Sequence, residues 1–249
     1  MVFGKRGRLT RALRFYYNNN EVAIVSQFTY LCIIFTTGKS FKQTFDSLHG
    51  QSLKSIFKLK SILNKFPCIN VSHKLDLFDK LITPILGYCS EVWDYWEAAQ
   101  LETVHLQYMK QLLEVRKQTK NNFVYGELGR FPLQTNRIRS VIRYWLKVIA
   151  LDNRNCSKIV YDMMLNDHMM YPNVNNWASH VKRILEHLGF NVVWLNQGVG
   201  CPNAFLKVFS QRVRDNFMQT WQTKLNDSTR ASTYLVFSEF GFKKYLDIL

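Results

Sequence analysis

The chain has 249 residues, of which 47% are hydrophobic, and this predicts one or two folded domains rather than a disordered chain. Its 33 lysines and arginines against 18 aspartates and glutamates give a formal charge of +15, which favours phosphate polymers or anionic membrane surfaces as partners. The longest nearly apolar runs, Phe28–Phe35 and Leu81–Cys89, fall far short of the ~20 residues that span a bilayer. We therefore expect no membrane partner. Scattered cysteines, odd in number, favour a reducing, intracellular compartment.

Residues 1–40 predict a small β-rich segment, with Asn18–Asn20 as a turn that can enter positive φ. Strands this short can hardly form a core by themselves, so they pack either on the helices that follow or on a sheet encoded upstream. We favour the second alternative, which implies that the natural N-terminus lies upstream of Met1. The predicted strands are Met1–Phe3, Leu13–Tyr17, Glu21–Val25 and Phe28–Phe35.

From Phe41 onward the apolar pattern becomes helical, and the first predicted helix, 41–66, has two sides of different character. Lys54, Lys58 and Lys65 fall within about 40° of one another at 100° per residue. Such a stripe is either an ordinary solvated face or a surface that contacts phosphates. The opposite side is predicted to be buried through Leu53, Ile56, Leu59, Leu63 and Phe66.

Further helices are predicted along the rest of the chain. Ser72 is the expected N-cap of helix 73–88, in which Pro84 should kink or restart the helix. Helix 135–151 should turn a second basic stripe outward, formed by Arg139, Arg143 and Lys147, which by base rates is an ordinary solvated face. The other predicted helices are 97–115, 121–128, 157–164, 175–188, 204–225 and 232–249, with joints at 165–174 and 199–203.

Residue types that form catalytic or metal sites are not clustered in the sequence. There is no Tyr-x-Asp-Asp, no adjacent aspartate pair and no C-x-x-C with which a zinc site begins. His180 and His187 share one face of a predicted helix, but their separation along it is about 10 Å, too far to share a metal. We therefore predict no catalytic residue, no metal and no cofactor in this chain.

A basic run near the N-terminus precedes every acidic residue and is followed by the aromatic segment Phe15–Tyr17. Basic side chains contact a nucleic-acid backbone and aromatic rings stack on bases or sugars. A solvated basic tail explains the run equally well, and both alternatives stay open. The run consists of Lys5, Arg6, Arg8, Arg11 and Arg14.

Four later segments follow one another in an order that one family shares. They resemble the region just downstream of the catalytic palm in reverse transcriptases of non-LTR (LINE-type) retrotransposons, where a YLGI hairpin grips the primer and a helical thumb follows. Tyr30, Leu31 and Ile33 match that primer-grip motif, with Cys32 in place of its glycine. The segments are Phe28–Phe41, Leu77–Trp93, Val124–Leu133 and Arg139–Val148, and Ser232–Leu246 resembles a block near the end of invertebrate elements.

The resemblance implies a mainly α fold in three parts: a β remnant of the palm edge and primer grip at 1–40, a helical thumb at 41–152 and a helical connector at 153–249. It implies that the polymerising carboxylates and their Mg²⁺ belong to the palm upstream. The chain would then clamp an RNA:DNA hybrid without sequence readout, beside the upstream palm and fingers, in a nuclear or cytoplasmic ribonucleoprotein. The resemblance also favours phosphate contact over an ordinary solvated helix face for Lys54, Lys58 and Lys65.

The sequence departs from the family pattern at four places where the family usually has glycine. These are Cys32, Cys89, Asp94 and Glu114. If the backbone there has positive φ or approaches another segment closely, a side chain costs on the order of 1 kcal/mol or more. The pattern indicates a decaying copy of the element.

Two other classes of function remain as alternatives. The first is a helical protein-interaction or ribonucleoprotein-assembly module without a polymerase role. The second, which we rank lower, is peripheral attachment to a membrane through the basic surface. Nucleic-acid binding should weaken steeply with ionic strength, whereas a hydrophobic protein interface should not.

Overall fold

The computed structural model describes most of the chain, and the described part is mainly helical, with antiparallel strand pairs near its N-terminus. This confirms the predicted fold class. Among the described residues, no helix has the length and the apolar character that a membrane crossing requires. The described residues are 14–23, 25–38, 40–66, 68–94, 98–171, 173–228, 231, 234 and 239–247.

The strands form two short hairpins. Strand β1 (Phe15–Tyr17) pairs with β2 (Asn20–Val22), and β3 (Gln27–Tyr30) pairs with β4 (Ile33–Thr36). The first turn has positive φ at both Asn18 and Asn19, as a two-residue hairpin loop requires. The strand predicted at Met1–Phe3 lies outside the described residues.

The hairpins contribute little to the core. Strands β1, β2 and β3 are exposed along their whole length, and within β4 only Ile33 is buried. The side-chain oxygen of Thr44 accepts from the N–H of Ile34 at 2.9 Å and donates to its carbonyl at 3.1 Å, which holds β4 against the helix that follows.

The helices occupy the rest of the described chain. As predicted, Pro84 restarts the helix, because it occupies one of the first two positions of the short helix α3. A 3-10 helix, Lys244–Asp247, follows the last α-helix. The bounds are α1 Lys42–Leu63, α2 Val71–Leu81, α3 Thr83–Leu86, α4 Ser90–Trp93, α5 Ala99–Leu112, α6 Asn121–Leu128, α7 Leu133–Ile149, α8 Cys156–Met170, α9 Trp177–His187, α10 Asn191–Leu195 and α11 Pro202–Asn226.

Helix α7 joins two large hydrophobic clusters. The first lies among α1, α2, α3, α4 and α5 around the fully buried Trp93 and also includes Leu133 at the start of α7. The second lies among α7, α8, α9, α10 and α11 around Trp145. The indole N–H of Trp145 donates to the hydroxyl of Tyr161 at 2.9 Å, so this buried ring also has its polar atom satisfied.

The chain end returns to α6. The N–H of Gly241 donates to the carbonyl of Gly126 at 3.1 Å, and the N–H of Lys243 donates to that of Glu127 at 3.2 Å. The side chain of Leu246 packs with α6 in a third cluster. Residues 239–243 are therefore not helical, contrary to the predicted helix 232–249, because their backbone hydrogen bonds go to α6.

Three predictions about the helices are wrong. Asn70, not Ser72, caps α2, and the N–H of Ser72 donates instead to the carboxylate of Asp247 at 2.9 Å. The predicted joint at 165–174 is helical as far as Met170, because the side chain of Leu165 packs into the second cluster. Ile56, Leu59 and Leu63 of α1 are buried as predicted, but Leu53 and Phe66 are exposed, and Ser52 lies on the buried face instead, with its hydroxyl donating to the carbonyl of His49.

Candidate nucleic-acid interface

The basic stripe of α1 lies on the solvent side of the helix. Lys54 and Lys58 are exposed on α1, and Lys65 is exposed just beyond its end. No acidic side chain in the described part of the chain forms an ion pair with any of these three lysines. The only acidic residue within α1, Asp46, lies near the other end of the helix. This face therefore presents positive charge that no ion pair with a described acidic residue neutralises.

Exposed apolar side chains flank this stripe on α1 and just beyond its end. The ring of Phe57 is 75% exposed, and Leu53 lies one turn before it. Ile62 and Phe66 are exposed near the end of the helix. Sequence reasoning missed this because it placed Leu53 and Phe66 inside. The sequence does contain a sign of this surface. Phe57 lies on a different side of the helix from the residues that are buried, Ile56, Leu59 and Leu63.

The predicted primer-grip residues form the tip of the second hairpin. Tyr30 pairs with Ile33, which leaves Leu31 and Cys32 as a two-residue loop with φ values of 46° and 65°. Tyr30 and Leu31 are exposed, whereas Ile33 is anchored in the first cluster. The hydroxyl of Tyr88 donates to the carbonyl of Leu31 at 3.0 Å and so fixes the tip to the segment between α3 and α4.

The places where the family usually has glycine divide into two groups. Cys32, Cys89 and Glu114 have φ values of 65°, 53° and 53°, in the left-handed region that favours glycine. Asp94 has an ordinary helical φ of −62°. The expected free-energy cost of a side chain on a left-handed backbone therefore applies at Cys32, Cys89 and Glu114. It does not apply at Asp94, where that expectation is wrong.

Asp94 has a role of its own, which sequence reasoning missed. Its carboxylate accepts from Nε of Arg137 at 3.0 Å, and both side chains are buried. The guanidinium also lies over the ring of Trp93, 5.9 Å from its centroid. Because Arg137 belongs to α7 and Asp94 follows α4, this pair joins the two helices. His180 Nε2 lies 3.8 Å from the same carboxylate, so this histidine faces an acid rather than a metal site.

The second basic stripe is exposed as predicted. Arg139, Arg143 and Lys147 all face solvent on α7, and none forms an ion pair with a described acidic residue. Helix α1 packs on α2, α3 and α5, whereas α7 packs chiefly on α4 and α11. The structure thus places the two stripes on helices with different neighbours and does not merge them into one stripe.

The N-terminal basic run lies mostly outside the described residues. Of its members, Lys5, Arg6, Arg8 and Arg11 are not described. Arg14 is described and exposed, and its Nε lies 3.8 Å from the carboxylate of Glu21 across the first hairpin. Arg14 is therefore partly neutralised by its own hairpin.

The described residues include no group of three or more histidine, cysteine, aspartate or glutamate side chains that could hold a metal ion. Burial raises the pKa of Cys89, and the nearby Glu91 raises it further, so this thiol is not activated as a nucleophile.

Comparisons with known proteins do not place the chain in a family. No model of a known protein family matches it, and neither does any curated protein or solved structure.

Proposed function

We propose that the chain is the non-catalytic thumb region of a retrotransposon reverse transcriptase, and that it clamps a template-primer hybrid through phosphate contacts. The observation that carries the proposal is the exposed stripe of Lys54, Lys58 and Lys65 along and just beyond α1, which forms no ion pair with a described acidic residue. Lysine side chains on one helix face bind successive phosphates without reading the sequence.

The backbone gives this proposal independent support. Glycine is the residue that tolerates a left-handed backbone, and the chain is left-handed at Cys32, Cys89 and Glu114, three of the four places where the family usually has glycine. Two segments with family resemblance, Val124–Leu133 and Ser232–Leu246, also meet in the fold through Gly126 and Gly241. Both observations depend on the backbone and not on the charge of the chain.

The partner implied by the proposal is an upstream palm and fingers region. Strands β1, β2 and β3 are exposed along their whole length, and two-stranded hairpins are marginally stable in water. Pairing or packing against a larger sheet would cover them. In the complete enzyme the palm would supply the carboxylates that hold Mg²⁺, and this chain would supply positioning only.

The proposal is tested by measuring the affinity of the chain for an RNA:DNA hybrid at several salt concentrations. Replacing Lys54, Lys58 and Lys65 with glutamate should weaken binding to every sequence and flatten the slope of log affinity against log salt by roughly 2 to 3, because each lost phosphate contact removes about 0.9. The control replaces Lys117, Lys207 and Lys224, three other exposed lysines, with glutamate and has the same net charge.

Two results would contradict the proposal. If both triple variants flatten the slope equally, α1 is only a solvated face and the net charge alone drives binding. If the purified chain extends a primer with deoxynucleotides and Mg²⁺, it is not a non-catalytic part, since we expect no extension without the palm carboxylates.

The alternative is a helical protein-interaction module. A specific observation favours it as a second role: an open cleft lined chiefly by apolar side chains lies away from the α1 stripe. An apolar cleft of this kind accepts apolar side chains rather than phosphates.

A further inference from the structure

An open cleft of about 470 Å³ lies where the two large hydrophobic clusters meet. Its walls come from the start of α1, from α4, α7 and α8, and from the start of α9. Clefts of this size commonly hold a ligand or the anchor side chains of a partner. The apolar and aromatic side chains lining it include Val92, Tyr144, Val160, Met164 and Trp177.

The apolar surface continues from the cleft onto the outer side of α8. Ile159 and Met163 are exposed one turn apart on this helix, and Val160, which lines the cleft, lies between them. Within α8 only Tyr161 is buried, although the helix contains four methionines and one residue each of isoleucine, valine and leucine. An exposed methionine-rich helix beside a cleft is typical of surfaces that accept another helix.

The edge of the cleft is basic. Lys147 is exposed next to Val148, a lining residue of α7, and Arg143 lies one turn before it. On the other side, the guanidinium of Arg183 donates to the side-chain oxygen of Asn175, another lining residue, at 3.1 Å. No described acidic residue forms an ion pair with these three cations.

We propose that this cleft docks an acidic amphipathic helix of a partner protein. Apolar side chains of the partner enter between Tyr144, Val160 and Trp177, and its acidic residues meet Arg143, Lys147 and Arg183. Charge complementarity selects this occupant, because a second copy of a chain with a charge of +15 would be repelled. Glu91, the one acidic residue among the described residues that line the cleft, suits a single basic residue in the partner.

A nucleic acid fits this surface less well. Its phosphates could contact the three cations and its bases could stack on Tyr144 or Trp177, but the aliphatic surface of α8 formed by Ile159, Val160 and Met163 would stay uncovered. The inference does not depend on the nucleic-acid proposal, because it uses α7, α8 and α9 rather than α1.

The test uses an array of labelled synthetic helical peptides of about 18 residues, with leucine or phenylalanine at i, i+3, i+4 and i+7 and glutamate on the flanks. Each peptide has two matched control peptides, called its twins. One has lysine in place of every glutamate, and the other has serine at the apolar positions. Fluorescence anisotropy with the whole chain should show binding of glutamate peptides at micromolar affinity, with both twins weaker by about tenfold or more.

A pair of variants locates the binding site. Val160→Asp places a carboxylate at the cleft and should weaken the glutamate peptides by about tenfold or more. Val208→Asp makes the same change at an exposed valine of α11 and should leave the affinity unchanged. Because both valines are exposed, neither change should unfold the chain, and circular dichroism checks this.

Several outcomes would overturn the inference. They are failure of every glutamate peptide to bind below about 200 µM, equal binding by the serine twins, or equal loss in both valine variants. If Val160→Asp instead weakens binding of a single-stranded RNA and of no peptide, the cleft serves nucleic acid. If the glutamate peptides bind as expected but the chain does not bind an RNA:DNA hybrid, the docking inference holds and the function proposed for α1 is wrong.

Discussion

Helices α5, α6 and α9 end in the same type of hydrogen-bonded turn, but the residue that has a left-handed backbone in this turn differs among them. In α6 and α9 that residue is Gly129 or Gly189, with φ values of 59° and 82°. In α5 it is Glu114: its N–H donates to the carbonyl of Gln111, and the N–H of Val115 donates to that of Lys110. This is the pattern of a Schellman motif, whose left-handed residue is usually glycine. Glu114 is exposed and forms no ion pair with a described residue.

We predict that Glu114→Gly and Cys32→Gly each raise the thermal midpoint of unfolding. A left-handed backbone costs a residue with a Cβ atom about 1 to 2 kcal/mol, and glycine removes this cost while losing up to about 1 kcal/mol through its more flexible unfolded chain. The net gain is therefore several tenths of a kcal/mol, measured by thermal and denaturant unfolding.

Asp94→Gly is the opposite case among the same four positions. Its backbone is helical, and its carboxylate pairs with the buried Arg137, so removal leaves an uncompensated buried charge. We expect a loss of about 3 to 5 kcal/mol. If Glu114→Gly and Cys32→Gly are also destabilising, these side chains are accommodated and the idea of a decaying copy loses its physical basis.

Helix α7 begins without a side-chain cap of its own, and a carboxylate from α5 takes that role. Pro132 precedes the helix, and the N–H of Leu133 donates to Glu102 at 2.9 Å. The same carboxylate accepts from the hydroxyl of Tyr125 at 2.9 Å and lies 3.2 Å from Nδ1 of His105. Burial alone would raise the pKa of Glu102, but the contacts with His105 and Tyr125 and the charge of Arg137 outweigh it, so the pKa is lowered.

We predict that Glu102→Gln destabilises the fold at neutral pH and makes it less sensitive to acid. The amide leaves part of this network unsatisfied, at a cost of about 1 to 3 kcal/mol. A carboxyl whose pKa is lowered in the folded state adds stability above its ordinary value of 4.5, and that stability is lost as pH falls through the lower folded value. The difference between the two proteins should therefore shrink below about pH 4.5 in denaturant titrations.

The control for this pH dependence is Glu114→Gln, which changes an exposed carboxylate and should leave the acid transition unaltered. A difference between the Glu102→Gln protein and the unchanged chain that stays constant from neutral to acidic pH would mean that the ionised carboxylate does not stabilise α7.

At the scale of the whole molecule, α6 is enclosed by parts of the chain that lie far from it in sequence. The indole N–H of Trp221, in α11, donates to the carbonyl of Asn122 at 2.8 Å. A Cβ atom on Gly126 would lie 2.8 Å from the ring of Trp221 and 2.5 Å from the hydroxyl oxygen of Tyr234. Glycine is required here because of this close approach, since other residues accept the helical backbone more readily.

We therefore predict opposite effects for alanine at two helical glycines. Gly126→Ala should destabilise the protein by about 1 to 3 kcal/mol, because the ring of Trp221 is buried and cannot move aside. Gly50→Ala, on α1, meets no atom within 4 Å and should stabilise it by about 0.5 to 1 kcal/mol through helix propensity. Denaturant unfolding of both variants decides this. A stabilising Gly126→Ala would show that the chain end does not press on α6.

The sequence by itself determined most of the helices, the β-rich start and the exposed basic stripes, because these follow from local periodicity and turn chemistry. Only the tertiary structure decided how far the buried face of α1 extends, since Thr44 and Ser52 enter the core once their hydroxyls are hydrogen-bonded to the backbone, while Leu53 stays exposed. It also decided the role of Asp94, the return of the chain end to α6 and the cleft beside α8. Each of these depends on contacts between residues distant in sequence, which periodicity does not encode.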